Sequence, residues 1–426
     1  MRVLILGASG FIGSRIALAA KRAGWQVRAA ARHPAPAALR MRHFEWVKAD
    51  FASLIDPAAW SQLLQDVDAV VNCVGVLQDA AGDSSRVAHI LGPSALLDAC
   101  ASSHVGRFIQ ISAIGADQAA GTRYAQDKLA ADRLIQASDL EWVVVRPSLV
   151  VGREVYGGTA LIRGLAGAPF VIPLVGGEQT LRPLPIEDLA SFVVGLLSPS
   201  APAREVIDVN GPESLSLAQL VAAYRAWLGF GAAPTVIVPP WVAWPLLRFG
   251  DLAGWLGWTS ALRSTSLRQI EHGAASEAPA IGGIRAFSDF LDQEPASVQD
   301  RWHARLFFVR PFVVMLLATV WFVSGLVALG PGAERAMALL HRAGLGPWSN
   351  ATSVATAGID LALGALLLVR RSTALAAIGG VAVSLGYVLA GTVLLPDLWA
   401  DPLGPLLKAI PIIGLSLVVA ATDSRR

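Results

Sequence analysis

Charge is scarce in this sequence. Only 15% of its 426 residues are Asp, Glu, Lys or Arg, against about 25% in an ordinary soluble domain. The formal net charge is +2 and no basic tract breaks the chain, which argues against a nucleic-acid partner. Cysteine is nearly missing. Cys73 and Cys100 are the whole supply, so a disulfide scaffold is excluded and both read as buried, reduced thiols of a cytosolic domain. No secretory leader is expected, because Met1-Arg2 runs straight into Val3-Leu4-Ile5-Leu6 and then glycine. His303 and His341 have no ligand-type company, and no metal is expected.

What fills the space is apolar. Hydrophobic residues make up 54% of the chain, and the mean hydropathy is +0.53. The excess lies after Phe307, in the runs Pro311–Leu329, Thr352–Val369, Thr373–Leu395 and Leu406–Ala421. Each comes near the ~20 residues that cross a bilayer, the last being slightly short. Arg301, Arg305 and Arg310 precede the first run, Arg370-Arg371 separates the second from the third, and Arg425-Arg426 follows the fourth. The other two turns carry only Arg335 with Arg342, and Asp397 with Asp401. The positive-inside rule then predicts a multi-pass protein of the inner (cytoplasmic) membrane with both termini cytoplasmic. Mid-span Asp360 must be protonated, paired or facing a polar cavity. It serves either a buried hydrogen bond or a quinone headgroup or proton site, with Lys408 its obvious partner unless that lysine snorkels to the interface.

The first half alternates strand and helix signals. Arg2 to Leu6, Trp25 to Ala31, Val67 to Val74, Arg107 to Ser112, Glu141 to Arg146 and Glu205 to Val209 read as strands. Phe11 to Ala23 and Leu217 to Leu228 read as helices. Strands this apolar, separated by helices, predict an α/β doubly wound parallel sheet, followed by an all-α four-helix transmembrane bundle. The expected domains are residues 1–230, a Trp-rich segment 231–305, and the bundle 306–426. In the middle segment Pro239-Pro240 introduces Trp241, Trp244, Trp255 and Trp258, with Arg248 and Asp251 among them. These tryptophans belong either at the headgroup level of a bilayer or in a lid over the soluble domain.

Gly7-x-x-Gly10-x-x-Gly13 falls between the first strand and the first helix. There glycine permits the tight turn, and the helix N-terminus offers amide donors to a pyrophosphate. Ser9, Phe11 and Ile12 complete that stretch. The second strand ends without a carboxylate and offers Arg32 instead, a match for a 2′-phosphate, so NADP is favoured over NAD; a solvated surface arginine is the alternative. Asp50, after the third strand, either accepts from the adenine amine or caps a helix. Asn72 and Gly75 end the fourth strand, where Gly75 lets the backbone approach a cofactor. Tyr124 and Lys128 are spaced to share one helix face, after Ser112 at a strand end. The ammonium lowers the phenol's pKa and holds the nicotinamide ribose. The phenol serves as general acid toward a carbonyl, and Ser112 orients the oxygen.

Together the glycine pattern, Asn72 to Gly75, Ser112, Tyr124 with Lys128, and Arg146-Pro147-Ser148 resemble the short-chain dehydrogenase/reductase superfamily, a Rossmann-type fold. Leu181 to Ala190 resembles a later signature of its extended and atypical members, among them sugar epimerases and the NADPH-binding accessory subunit of respiratory complex I. The likeness covers about residues 1–230 and implies that Pro147 and Ser148 line the nicotinamide side of the pocket. One departure is His89-Ile90-Leu91-Gly92 where short-chain members carry a catalytic asparagine. The C-terminal helices, with Ser324-Gly325, resemble the DoxX-like family of four-helix membrane domains. The resulting expectation is a membrane-anchored NAD(P)H-dependent oxidoreductase for an apolar or quinone-like carbonyl substrate, in contact with the lipid bilayer. The alternatives are a non-catalytic NADPH-binding module of a membrane redox partner, and an epimerase that retains its NAD.

Overall fold

Residues 1–75, 85–115, 123–258 and 276–423 are described by the structure, a computed structural model; for Arg123 and Tyr124 it describes the backbone alone. Strand β1 (Arg2–Leu6) is central, because its side chains are apolar on both faces. Val3 and Ile5 enter one core, Leu4 and Leu6 the other, the two-residue period of an extended chain. The same alternation splits Val143 and Val145 from Val144 in β6 (Trp142–Pro147). Between them lie β4 (Ala69–Asn72) and β5 (Arg107–Ile111). On the other flank come β2 (Gln26–Ala31) and β3 (Glu45–Lys48), and β11 (Glu205–Val209) closes the far edge.

The order is β11-β6-β5-β4-β1-β2-β3, every pair parallel. Order reverses at β1, which places a crevice at the carboxyl ends of β1 and β4. One face is covered by α1 (Phe11–Arg22) and α6 (Ile186–Gly195) through Ile16, Ala17, Leu189 and Val193. The other is covered by α3 (Gly92–Ser102) and α4 (Arg123–Gln136) through Leu96, Cys100 and Ile135. A single π-helical turn, Val87–Leu91, precedes α3.

A smaller core follows the sheet. It joins α5 (Gly158–Ala166), α7 (Leu217–Trp227) and α9 (Phe287–Asp292) around Tyr224, Phe287 and Phe290. Arg163, 1% exposed, gives its guanidinium to Asp300 at 3.0 Å and to Gly152 O at 2.6 Å. The chain divides into two compact units, Met1–Leu252 with Ser260–Arg305, and Ala253–Thr259 with Leu306–Arg426. The Trp-rich segment is therefore shared: Phe287 and Phe290 complete a core of the first unit, while Trp258 packs in the second.

Helix α10 (Val298–Leu329), which enters the second unit at Leu306, and within that unit α12 (Ser349–Leu368, preceded by a 3-10 turn from Gly346) and α13 (Thr373–Leu394) are each long and apolar enough to cross a bilayer. The fourth expected span forms as α14 (Pro405–Ala421), whose 17 residues leave it a shorter apolar helix. One unanticipated helix, α11 (Ala333–Arg342), occupies the first turn with none of its residues buried. Small residues set the packing distances. A Cβ at Gly325 would lie 2.8 Å from Ala357 O, and one at Gly364 would lie 2.9 Å from the Phe322 ring. At one end of the bundle Arg310 and Arg370 both pair with Asp423. At the other Arg342 meets Asp397 at 2.6 Å. Arg425 and Arg426 lie outside the described residues.

Candidate functional site

The glycine turn closes as its spacing requires. Gly7 adopts φ +73° and accepts from the Gly10 amide at 2.9 Å. A Cβ on Gly13 would stand 2.3 Å from Gly7 O, so the helix start packs directly on the strand end. Helix α1 has no side-chain cap at Gly10 and no acid in its first turn, leaving its amide donors and positive end available to an anion. Ser9 and Gly10 are exposed and Ile12 packs on the sheet core. Phe11 stacks on Tyr156 at 6.0 Å between ring centres. These features fit a dinucleotide pyrophosphate.

Arg32 follows β2 at the surface. Asp50 follows β3, and its Oδ1 accepts from the Ala52 amide at 3.1 Å while its carbonyl takes Ser53 and Leu54. It therefore shapes a turn as well as ending a strand. Asn72 is fully buried. It donates to Gln110 Oε1 at 2.9 Å and accepts from the Val74 amide at 3.1 Å, so its side chain braces the end of β4 from within. Cys73 lies against Gly7, and a Cβ at Gly75 would come within 3.6 Å of Lys128 Nζ and 3.7 Å of His89 Cε1. The glycine turn, the end of β4 and helix α4 thus meet at one place.

Lys128, 3% exposed, donates to Ile111 O at 3.0 Å. Burial pushes its ammonium down to about 8, against the raising effects of Asp132 and the Cys73 thiol. Ser112 donates through Oγ to Asp132 Oδ2 at 3.0 Å. The same oxygen receives Arg146 Nε at 3.0 Å and its second guanidinium nitrogen at 2.9 Å. Burial pushes the Asp132 carboxyl up, while Ser112 and Arg146 pull it down. Burial also pushes the Cys73 and Cys100 thiols up to about 12, and both are free. Tyr124 sits in the first turn of α4, four residues before Lys128; its side chain lies outside the described part.

Sequence reasoning missed Asp132. The signal was available, since Tyr124, Lys128 and Asp132 continue one stripe at a spacing of four. It also left His89 as a mere departure. His89 is buried on the π-helical turn beside Gly75, the sort of irregular turn that recurs at functional sites.

After β6, Pro147 O accepts from the Ile114 amide at 3.2 Å, tying the loop after Ser112 to that strand end. Ser148 is turned away: its hydroxyl donates to Arg182 O in a short hydrogen bond, and Arg182 in turn holds Gly211 O and Ala278 O. A cleft of about 930 Å³ lined by Met1, Arg15, Trp25, Glu187 and Ser191 opens between α1 and α6. It is not lined by any residue of the Lys128 cluster.

Within the bundle, Asp360 is 4% exposed and receives Ser324 Oγ at 2.6 Å and the Tyr387 hydroxyl at 2.9 Å. Its partners are hydroxyls from α10 and α13 and not Lys408. That lysine lies exposed in the first turn of α14.

Two families match this chain. Residues 7–169 match the NAD(P)H-binding family and residues 318–417 the DoxX-like family. The chain thus joins an NAD(P)H-binding, Rossmann-type region to a DoxX-like region, and three of its helices are long and apolar enough to cross a membrane. It is 25% identical over 193 residues to the ceramide reductase of Caulobacter vibrioides, covering 45% of this chain and 59% of that one. It is 24% identical over 153 residues to the mitochondrial NADH-ubiquinone oxidoreductase 40 kDa subunit of Neurospora crassa, covering 36% and 40%. The match thus spans less than two thirds of either relative. Among solved structures, the UDP-glucuronic acid 4-epimerase of Bacillus cereus with NAD shares 22% identity over 56% of this chain and 88% of its own, with TM-score 0.48. The dTDP-glucose 4,6-dehydratase of Bacillus anthracis with NAD shares 18% over 56% and 84%, also at 0.48.

Proposed function

We propose that this protein is a membrane-anchored, NADPH-preferring reductase of a carbonyl group on an apolar, membrane-borne molecule. The observation that carries the reading is the buried Lys128 ammonium beside Gly75, in a chain that also carries bilayer-length helices. The cofactor supplies the hydride. Gly7, Gly10 and Gly13 let the backbone hold its pyrophosphate, and Arg32 favours the 2′-phosphate. Lys128 would hold the ribose and keep Tyr124 acidic enough to protonate a carbonyl oxygen. Ser112 positions that oxygen. Its hydroxyl donates to Asp132, so it presents lone pairs to Tyr124 or to a product alcohol, and it must turn to donate to a carbonyl. The relative named as a ceramide reductase supports a lipid substrate. The arginine distribution supports a cytoplasmic nucleotide domain in the inner membrane.

The test is NADPH oxidation by the protein in proteoliposomes supplied with lipid ketones or quinones. Saturable consumption that falls at least about a hundredfold in Tyr124→Phe is expected. Tight NADPH retention with no acceptor reduced would refute turnover. It would favour the second reading, a cofactor-holding module of a membrane redox complex, which His89 in place of the expected asparagine and the 40 kDa-subunit relative both support. Retained NAD with no net consumption would instead indicate an epimerase.

A further inference from the structure

Helix α8 (Pro240–Trp255) is hard to explain as a surface in water. Its 16 residues carry only Arg248 and Asp251 as charges. One narrow stripe, Leu247, Gly250 and Gly254, is buried. Large apolar side chains around it are exposed: Trp241 by 77%, Trp255 by 68%, and Trp244, Leu246, Phe249 and Leu252 by half or more. An exposed apolar surface of this extent marks a partner.

We infer that α8 is an in-plane membrane helix, embedded in the interfacial layer of the same bilayer that holds the second unit. This inference rests on the membrane reading of that unit. Three observations choose the bilayer over another occupant. First, the chain runs from α8 into residues that belong to the bundle. The Arg370 amide donates to Leu256 O at 3.0 Å, and the Trp258 indole donates to Leu368 O at 2.7 Å. Their partners in the bundle, Arg370 and Leu368, sit where α12 turns into α13, at the arginine-bearing end of the spans. That end is the water–lipid boundary, so the last turn of α8 starts from the interface.

Second, the composition suits that depth. Indole rings favour the headgroup level, where the ring is buried and its N–H stays wet. Arg248 lies over Trp244 with its guanidinium 4.9 Å from the ring centre, leaving a cation that suits anionic headgroups. Third, the length is wrong for crossing. At 1.5 Å per residue α8 reaches about 24 Å, short of the ~30 Å core, and Pro245 inside it fits a helix lying flat. An apolar helix that is too short to span and is tied to the boundary lies in the plane.

Spin labels in the full chain test this. Trp241→Cys, Phe249→Cys and Trp255→Cys are made in a Cys73→Ala/Cys100→Ala background and reconstituted in phosphatidylethanolamine/phosphatidylglycerol vesicles. Leu316→Cys, exposed on the first span, is the lipid reference, and Ala23→Cys, exposed at the end of α1, is the water reference. The expected result is an oxygen-to-nickel-chelate accessibility ratio at all three α8 sites several-fold above that of residue 23 and approaching that of residue 316. Water-like ratios at the three sites with a lipid-like ratio at residue 316 would overturn the inference and leave the membrane reading standing, as would labels immobilised by NADPH without lipid contact, the signature of a lid. A water-like ratio at residue 316 as well would sink both.

Discussion

Each unit of this protein holds a deeply buried carboxylate, and the two are treated differently. Asp132 in the nucleotide unit is fully buried and meets a guanidinium, Arg146, together with the Ser112 hydroxyl. Asp360 in the bundle is almost as buried and meets only the hydroxyls of Ser324 and Tyr387. The difference follows from what surrounds each site. In the sheet domain the ion pair stands beside Ser112 and Lys128, and its Coulomb energy offsets part of the desolvation of both ions. In the bundle a second charge would cost several kcal/mol more, so neutral donors are used. The cores differ too, although the bundle also buries Leu317, Trp321 and Leu363. Large aliphatics fill the interior between sheet and helices, whereas the bundle turns Leu375, Leu389 and Val393 outward and keeps Ala357, Gly380 and Ser384 inside.

The contrast can be broken most severely at Arg146. Arg146→Met leaves Asp132 buried without its cation, at a cost of about 3–5 kcal/mol, visible as an earlier denaturant midpoint of the nucleotide unit. Asp132→Asn shares much of that loss because it strands Arg146; a change under ~1 kcal/mol would mean the pair is not the constraint described. Asp360→Asn removes no ion pair and keeps the oxygen that Ser324 or Tyr387 donates to, so its cost is nearer ~1 kcal/mol. It is read by thermal aggregation in detergent. A loss at Asp360 as large as that at Arg146 would abolish the distinction.

The smallest effect is a pH dependence. Lys128 titrates near 8 in the fold against 10.5 as an ordinary lysine. In the proposed mechanism the ammonium that holds ribose and activates the phenol is lost above about pH 8, and turnover is expected to decline there. Between 8 and 10.5 the unfolded chain binds the proton that the native lysine has released. Lys128 alone therefore makes stability rise with pH across that window. An alkaline limb near pH 8 that moves upward in Lys128→Arg is expected from initial rates, and an unmoved limb would assign it elsewhere.

Most of the sheet was legible because buried parallel strands are apolar throughout: Arg2–Leu6 and Glu205–Val209 form at the expected residues. The glycine turn was legible because its spacing and its place after a strand are one constraint. Other features were not. Asp132 looks like any helix-surface acid until β6 brings Arg146 over it. Asn72 looks like a strand-end ligand until Gln110, 38 residues on, takes its amide. The partners of Asp360 come from two other helices, a packing relation that hydropathy does not encode, and Lys408, near the start of the last span, is not among them. The amphipathic turn helix α11 was hidden by its shortness.

The central claim is that one chain holds a pyridine nucleotide at the Gly7–Gly13 turn while its own helices sit in lipid. Fluorescence titration of NADPH against the full-length protein in nanodiscs tests it most directly, with Gly13→Val, whose Cβ would stand 2.3 Å from Gly7 O, as the comparison. Saturable binding by the nanodisc-embedded native chain, lost in the folded variant, is predicted. Equal binding by both, or none by the native chain, would contradict it.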